Sequence, residues 1–93
     1  MKIIASNKFI KFKKKCIEKL QIEIDKQVKR ILENLKIGEL KTGDLQNIRV
    51  LKFKFQNQLF LLSYEIKDDA LYLYTIESHQ NYYKELKQLT RNN

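Results

Sequence analysis

The sequence predicts a single α+β domain in which a short strand and two helices precede an antiparallel sheet. Two observations support this fold: apolar residues recur at intervals of three and four in the first third of the chain, and the period changes to two near residue 48. Helices that precede a run of strands pack together on one face of the sheet. Ninety-three residues, with no proline and only two glycines, are expected to form one domain over residues 1–93 without a linker.

The N-terminal half is expected to hold an edge strand and a helical hairpin. Residues 2–5 form the predicted strand, and Ser6 is placed to cap the helix that follows. The apolar stripe of the helical region lies at positions 9, 12, 16, 20, 24, 28, 31 and 35. This spacing fits one long helix or two short ones, but a small domain favours the hairpin because a single helix would leave its stripe uncovered. Gly38 is a natural residue for the end of the helical region.

The remainder of the chain reads as a polar loop, three strands and a final helix. The loop covers residues 39–47, the strands 48–55, 59–66 and 70–76, and the helix 80–89, with turns at 56–58 and 67–69. In the first of these strands, alternation places Leu51 and Phe53 on one face and Lys52 and Lys54 on the other. If the helices cover the apolar face, the sheet presents an open, basic surface on its other side.

The charge is concentrated in the helical half. The chain has 19 basic and 11 acidic residues, a net charge of +8, and residues 1–36 alone carry a net +7. An excess of this size favours a polyanionic partner such as nucleic acid, an acidic protein or an anionic membrane surface. Two roles are open for the lysines of the helical region, Lys11, Lys13, Lys14 and Lys15. They could contact the backbone of ribosomal RNA, or they could simply keep one face of the helix solvated.

The single cysteine and the hydropathy pattern indicate a soluble cytoplasmic protein. Cys16 is alone and lies in the apolar stripe, so we expect a buried structural thiol in a reducing compartment. No segment reaches the length of a membrane span, and the first residues are too short for the core of a signal peptide.

Four stretches, residues 43–50, 52–55, 60–66 and 78–86, together resemble the RelE/ParE superfamily of toxins from type II toxin–antitoxin systems. The last begins Ser-His-Gln-Asn-Tyr-Tyr, which is similar to the Ser-His-Glu-Asn-Phe-Tyr ending of many members. The resemblance implies a helical hairpin packed on an antiparallel sheet and a cognate antitoxin as partner. It implies toxicity through ribosome-dependent cleavage of mRNA or through DNA gyrase.

The resemblance also implies site residues, in the pattern of the RelE/YafQ-like branch. Lys52 and Lys54 match the lysine pair of that branch, and His79 matches the histidine or arginine that its members carry after the last strand. Tyr83 matches the aromatic residue that stacks on the substrate base. The chain departs from the RelE pattern at Leu61, where RelE has an arginine, and it lacks the additional histidines of YafQ.

The residue chemistry is compatible with cleavage of RNA without a metal or cofactor. Attack by a 2′-hydroxyl needs a base, cations for the phosphorane and an acid for the 5′ oxygen. His79 fits the acid or base role, with the base favoured by nearby lysines, or else it caps the last strand. Lys52 and Lys54 fit a grip on one phosphodiester, or else a solvated strand face that discourages edge pairing.

The other candidate residues keep two roles open. Tyr83 would stack on a base, and Tyr82 would bind substrate, although one of the two is expected to pack the final helix on the sheet. Arg49 would contact phosphate or pair with Asp44. No cluster of metal ligands is visible in the sequence.

Three functions follow from the sequence. The leading one is a toxin that cleaves mRNA on the ribosome as a metal-independent endoribonuclease (mRNA interferase). The second is a ParE-like inhibitor of DNA gyrase without catalytic residues, which Leu61 and the scarcity of acid–base groups favour. The third is a degenerate, non-toxic member that only binds an antitoxin.

Overall fold

The fold is a helical hairpin packed on one face of a five-stranded sheet, as seen in a computed structural model that describes residues 1–41, 43 and 47–80. The elements in chain order are β1 (Lys2–Ala5), α1 (Asn7–Lys15), α2 (Glu18–Glu33), β2 (Glu39–Leu40), β3 (Arg49–Phe55), β4 (Gln58–Lys67) and β5 (Ala70–Ser78). The α+β prediction is confirmed. The final helix predicted over residues 80–89 lies outside the described residues except for its first position.

The sheet is mixed, with strand order β1-β5-β4-β3-β2. Strands β2 to β5 pair in antiparallel fashion, whereas β1 lies parallel to β5 at the edge. Two-residue turns connect β3 to β4 and β4 to β5, and both residues of each turn, Gln56–Asn57 and Asp68–Asp69, have positive φ. Turns of this kind match the right-handed twist of the strands they join, so the predicted meander forms with tight corners.

The helical hairpin is confirmed, and a short extended segment divides its helices. The side chain of Ser6 caps α1 by accepting a hydrogen bond from the backbone N–H of Phe9. Cys16 and Ile17 then adopt extended backbone angles that end α1 and start α2. Gln21, on α2, donates from its side-chain amide to the carbonyls of Lys13 at 2.9 Å and Cys16 at 3.2 Å, and so ties α2 to the end of α1.

Two boundaries differ from the sequence prediction. Helix α2 ends at Glu33 with Asn34 as its C-cap, so Gly38 does not end it. Gly38 instead lies against the ring of Tyr64, where an added Cβ would come within 2.7 Å of the ring atom Cε1. The predicted loop over 39–47 also contains β2, which the sequence does not reveal because a strand of two residues exists only through its pairing with β3.

The core lies between the hairpin and the sheet and uses the predicted apolar stripe. Buried side chains from both layers form one cluster, which comprises Phe9, Leu20, Ile24, Ile31, Leu51, Phe53, Phe60, Leu62, Tyr64, Leu71, Leu73 and Ile76. Phe60 stacks on Phe53 at 5.5 Å between ring centroids and meets Phe12 of α1 edge to face at 6.4 Å. These contacts direct the apolar face of β3 and β4 to the helices, so the face with Lys52 and Lys54 is left uncovered by α1 and α2.

Neither helix in the described part of the chain is long and apolar enough to cross a membrane.

Candidate functional site

The face of the sheet opposite the helices carries the two lysines that the sequence predicts for the site. Lys52 and Lys54 are both exposed and project from β3 on the same side. In the register between β3 and β4, Lys52 lies opposite Leu61 and Lys54 lies opposite Leu59. Two cations therefore flank a half-buried apolar strip on β4.

A bulge in β5 turns the end of that strand toward the same face. Ser63 pairs with Thr75, but the next residue of β4, Tyr64, pairs with Leu73, so Tyr74 is an extra residue in β5. Before the bulge, Leu71 and Leu73 point to the core, and after it Ile76 does. Glu77 is therefore directed to the open face. His79 follows directly after the end of β5, where the backbone turns helical, and it is half-buried.

The register arranges these residues in two rows across three strands. Lys52, Leu61 and Glu77 form one row. Lys54 and Leu59 form the second row, and the pairing of β5 with β4 ends at Ser78, one residue before His79. Because neighbouring strands lie about 4.8 Å apart, the backbones of β3 and β5 are about 10 Å apart. Long side chains from the two strands can thus reach one phosphodiester held over the strip between them.

Glu77 is a residue of the open face that the sequence does not place there. Its carboxylate forms an ion pair with Lys8 of α1, with 3.1 Å between Nζ and Oε1. In an unbulged strand Glu77 would share the core face with Leu71 and Leu73, so only the bulge and the inter-strand register place it here. The two-residue spacing from His79 is the signal in the sequence that could have suggested it.

Arg49 does not lie with the two lysines. It shares the helix-covered face with Leu51, and its guanidinium donates to the carbonyls of Gly38 at 2.9 Å and Lys36 at 3.3 Å. These bonds hold the segment between α2 and β2 against β3. The predicted phosphate contact is therefore not supported by its position, and the alternative partner Asp44 is outside the described residues.

The two predicted tyrosines, Tyr82 and Tyr83, also lie outside the described residues, so their roles stay predictions. Another tyrosine, Tyr74, donates its hydroxyl to Glu65 at 2.6 Å. That hydrogen bond, together with burial and the negative charge of Glu65, raises the pKa of Tyr74 to about 12. Tyr74 is thus neutral at physiological pH and cannot serve as a base there.

Cys16 has a structural role, as the sequence suggests. It packs against the core, and its thiol donates to the carbonyl of Phe12 at 3.2 Å. Burial raises the pKa of the Cys16 thiol, which favours the unreactive protonated form.

The chemistry available on the open face and directly after β5 is that of cations, carboxylates and an imidazole. Within residues 1–41, 43 and 47–80, no three histidine, cysteine or acidic side chains are grouped as metal ligands would be. The arrangement is suited to binding a phosphodiester backbone and transferring protons next to it.

Comparison with known proteins gives a family match over most of the chain. The family described as the ParE-like toxin of type II bacterial toxin–antitoxin systems matches residues 3–87. A comparison with individually curated proteins finds no match.

Two solved structures share the fold at low sequence identity. The crystal structure of the intact E. coli RelBE toxin–antitoxin complex matches with a TM-score of 0.65 and 16% identity, over 81% of this chain and 92% of that chain. The isolated E. coli RelE toxin matches with a TM-score of 0.64 and 16% identity, over 95% of this chain and 97% of that chain. The chain thus has the RelE fold.

Proposed function

The chain belongs to the ParE-like toxins of type II bacterial toxin–antitoxin systems, and we propose that it is an endoribonuclease that cleaves mRNA on the ribosome. The similarity of its fold to that of the RelE toxin supports mRNA cleavage over gyrase inhibition as the activity of this chain. The observation that carries the proposal is the open sheet face, where Lys52 and Lys54 stand across an apolar strip from Glu77, two residues before His79.

The lysines would bind the phosphodiester that is cut. Both ammonium groups project from one strand face at alternate positions, about 7 Å apart along β3. Their positive charge would stabilise the phosphorane that forms when the 2′-oxygen attacks phosphorus. The apolar surface of Leu59 and Leu61 between the strands would support the sugar or base rather than its phosphate.

His79 would transfer a proton in the same reaction. Imidazole exchanges protons near neutral pH and can serve the 2′-hydroxyl or the 5′ leaving oxygen. Tyr83, four residues later, would stack on a base next to the cut.

A cognate antitoxin would neutralise the toxin. The structural relative RelE forms a complex with its antitoxin in the RelBE crystal structure. An acidic, amphipathic segment would complement a chain with a net charge of +8.

Primer extension on a translated reporter mRNA, after brief induction of the toxin, tests the proposed function. Wild type is expected to create new 5′ ends inside codons that depend on translation. The variants His79→Ala and Lys52→Ala/Lys54→Ala should lower their yield about 100-fold or more, the usual contribution of a proton-transfer group or of charge stabilisation.

A matched control for the lysine pair is Lys19→Ala/Lys29→Ala, which removes two exposed charges from α2. It should cleave nearly as wild type does. Site variants that fold and remain fully toxic would contradict the assigned site.

Inhibition of DNA gyrase is the second candidate function. The observation that favours it is the apolar strip itself, because Leu61 stands between Lys52 and Glu77 at the centre of the open face. Growth arrest with intact mRNA and altered plasmid supercoiling would support it. Intact mRNA with normal growth would indicate a member that only binds its antitoxin.

A further inference from the structure

We propose that Glu77 is the general base of the cleavage reaction and that His79 is its general acid. The inference rests on the proposed function and deepens it, because it assigns the two proton transfers to two different side chains. Glu77 follows the bulge in β5 and shares a row with Lys52, and His79 lies two residues later, directly after the end of β5.

The position of Glu77 fits a base better than a purely structural ion-pair partner. Its side chain is only 19% exposed, so the carboxylate is largely removed from bulk water. A carboxylate has two oxygens, so Glu77 can keep the contact of Oε1 with Lys8 while Oε2 accepts a proton. Lys8 itself is 64% exposed and belongs to the first turn of α1, which follows β1 on the side of β5 away from β4 and Lys52.

The ion pair with Lys8 also reduces the repulsion between the Glu77 carboxylate and a bound RNA. An unpaired anion next to a phosphodiester would repel it, whereas the ion pair with Lys8 offsets that charge. Lys52 and Lys54 on the far side of the strip would then draw the phosphate away from the carboxylate and leave the ribose nearer to β5.

The reaction balances with these two groups. Glu77 takes the proton from the 2′-hydroxyl as the oxygen forms its bond to phosphorus. The bond from phosphorus to the 5′ oxygen breaks, and protonated His79 gives its proton to that leaving oxygen. The products are a 2′,3′-cyclic phosphate and a 5′-hydroxyl, with Glu77 protonated and His79 neutral, and exchange with water restores both groups.

Single-turnover cleavage of a defined mRNA on programmed ribosomes tests this assignment. Glu77→Gln should reduce the rate about 100-fold or more, the usual contribution of a general base. Lys8→Met, which breaks the same ion pair but leaves the carboxylate, should reduce it only a few-fold. The matched control is Glu65→Gln, which changes another carboxylate on this face of the sheet and should leave the rate nearly unchanged.

The pH profile separates the two proton transfers. In wild type the rate should rise with pH as the base loses its proton and fall as the acid does, which gives a bell. Glu77→Gln should lose the rise on the acidic side, and His79→Ala should lose the fall on the alkaline side. A purely structural role for Glu77 would lower the whole profile and leave its shape unchanged.

Several outcomes would overturn the assignment. A Glu77→Gln variant that cleaves at the wild-type rate would show that the Glu77 carboxylate takes no part in the reaction. A loss of rate equal to that of Lys8→Met would show that Glu77 acts only as the partner in the ion pair. If Glu77→Gln fails to fold, the exchange Lys8→Glu/Glu77→Lys keeps the ion pair and removes the carboxylate from the sheet. That variant should fold and remain inactive, and cleavage by it would refute the base. Absence of cleavage by wild type would instead refute the proposed function and the base with it.

Discussion

At the scale of single residues, the hydroxyl of Tyr64 holds two backbone groups of the segment between α2 and β2. It donates to the carbonyl of Leu35 and accepts from the N–H of Gly38, both at 2.9 Å, and the side chain is fully buried. Tyr64→Phe would leave both groups without a partner in the interior. We expect it to lower the free energy of unfolding by about 1–3 kcal/mol, as measured by urea denaturation.

The control for this prediction is Tyr74→Phe. That hydroxyl also makes one good hydrogen bond, to Glu65, but its residue is partly exposed, so water can replace the bond. Its loss should cost clearly less than the loss of the Tyr64 hydroxyl. Equal stability of Tyr64→Phe and wild type would show that the two backbone groups find other partners.

Residue types alone pointed to part of the site. Alternation in one strand was enough to place Lys52 and Lys54 together, because both lie in β3 and no other strand affects their relation. Glu77 could not be placed in this way, since its face depends on a bulge whose position is set by pairing with β4. Arg49 looked equally suited to phosphate, but its position in the same alternation directs it to the carbonyls of Lys36 and Gly38.

At the scale of elements, Ser6 links the start of α1 to the bulge in β5. Its side chain accepts from the N–H of Phe9 and donates to the carbonyl of Tyr74 at 2.5 Å. Ser6→Ala removes both bonds and is expected to lower the free energy of unfolding by about 1–2 kcal/mol in urea denaturation. Because the bulge directs Glu77 to the open face, the proposed cleavage of mRNA should also be slower in this variant.

Ser6→Thr serves as the control for this element, since its hydroxyl can make both bonds and should retain most of the stability and activity. A Ser6→Ala protein as stable as wild type would mean that the cap and the Tyr74 carbonyl are satisfied by water.

The elements differ in how far the sequence determines them. The helical stripe and the alternating strands were predictable because each pattern is local and long enough to repeat. The division between α1 and α2 at Cys16–Ile17 was not, since neither residue is a helix breaker and only their extended backbone angles mark it. Gly38 looked like a helix end, but its small size is needed for the close approach of Tyr64.

At the scale of the whole molecule, the excess positive charge should make the proposed binding to the ribosome depend on salt. Lysines that contact phosphates release counterions, and the slope of log K against log salt is about −0.7 to −0.9 for each contact. The exposed residues Lys11, Lys14 and Lys15 of α1 are the densest cluster of cations in the described helices. If they contact ribosomal RNA, replacing all three by Gln should make the slope shallower by about 2–3.

The matched control is a second triple variant, Lys19→Gln/Lys26→Gln/Lys29→Gln, which changes three exposed positions of α2. Both variants lower the net charge of +8 by the same amount, so a pure charge effect would change the two slopes equally. A larger change for the α1 variant, measured by ribosome co-sedimentation over a range of salt, would locate the contact on α1. Equal changes of slope in the two variants would show that the lysines act only through net charge. A slope that stays at the wild-type value in the α1 variant would show that Lys11, Lys14 and Lys15 remain in solvent, which leaves the open sheet face as the surface that meets the RNA.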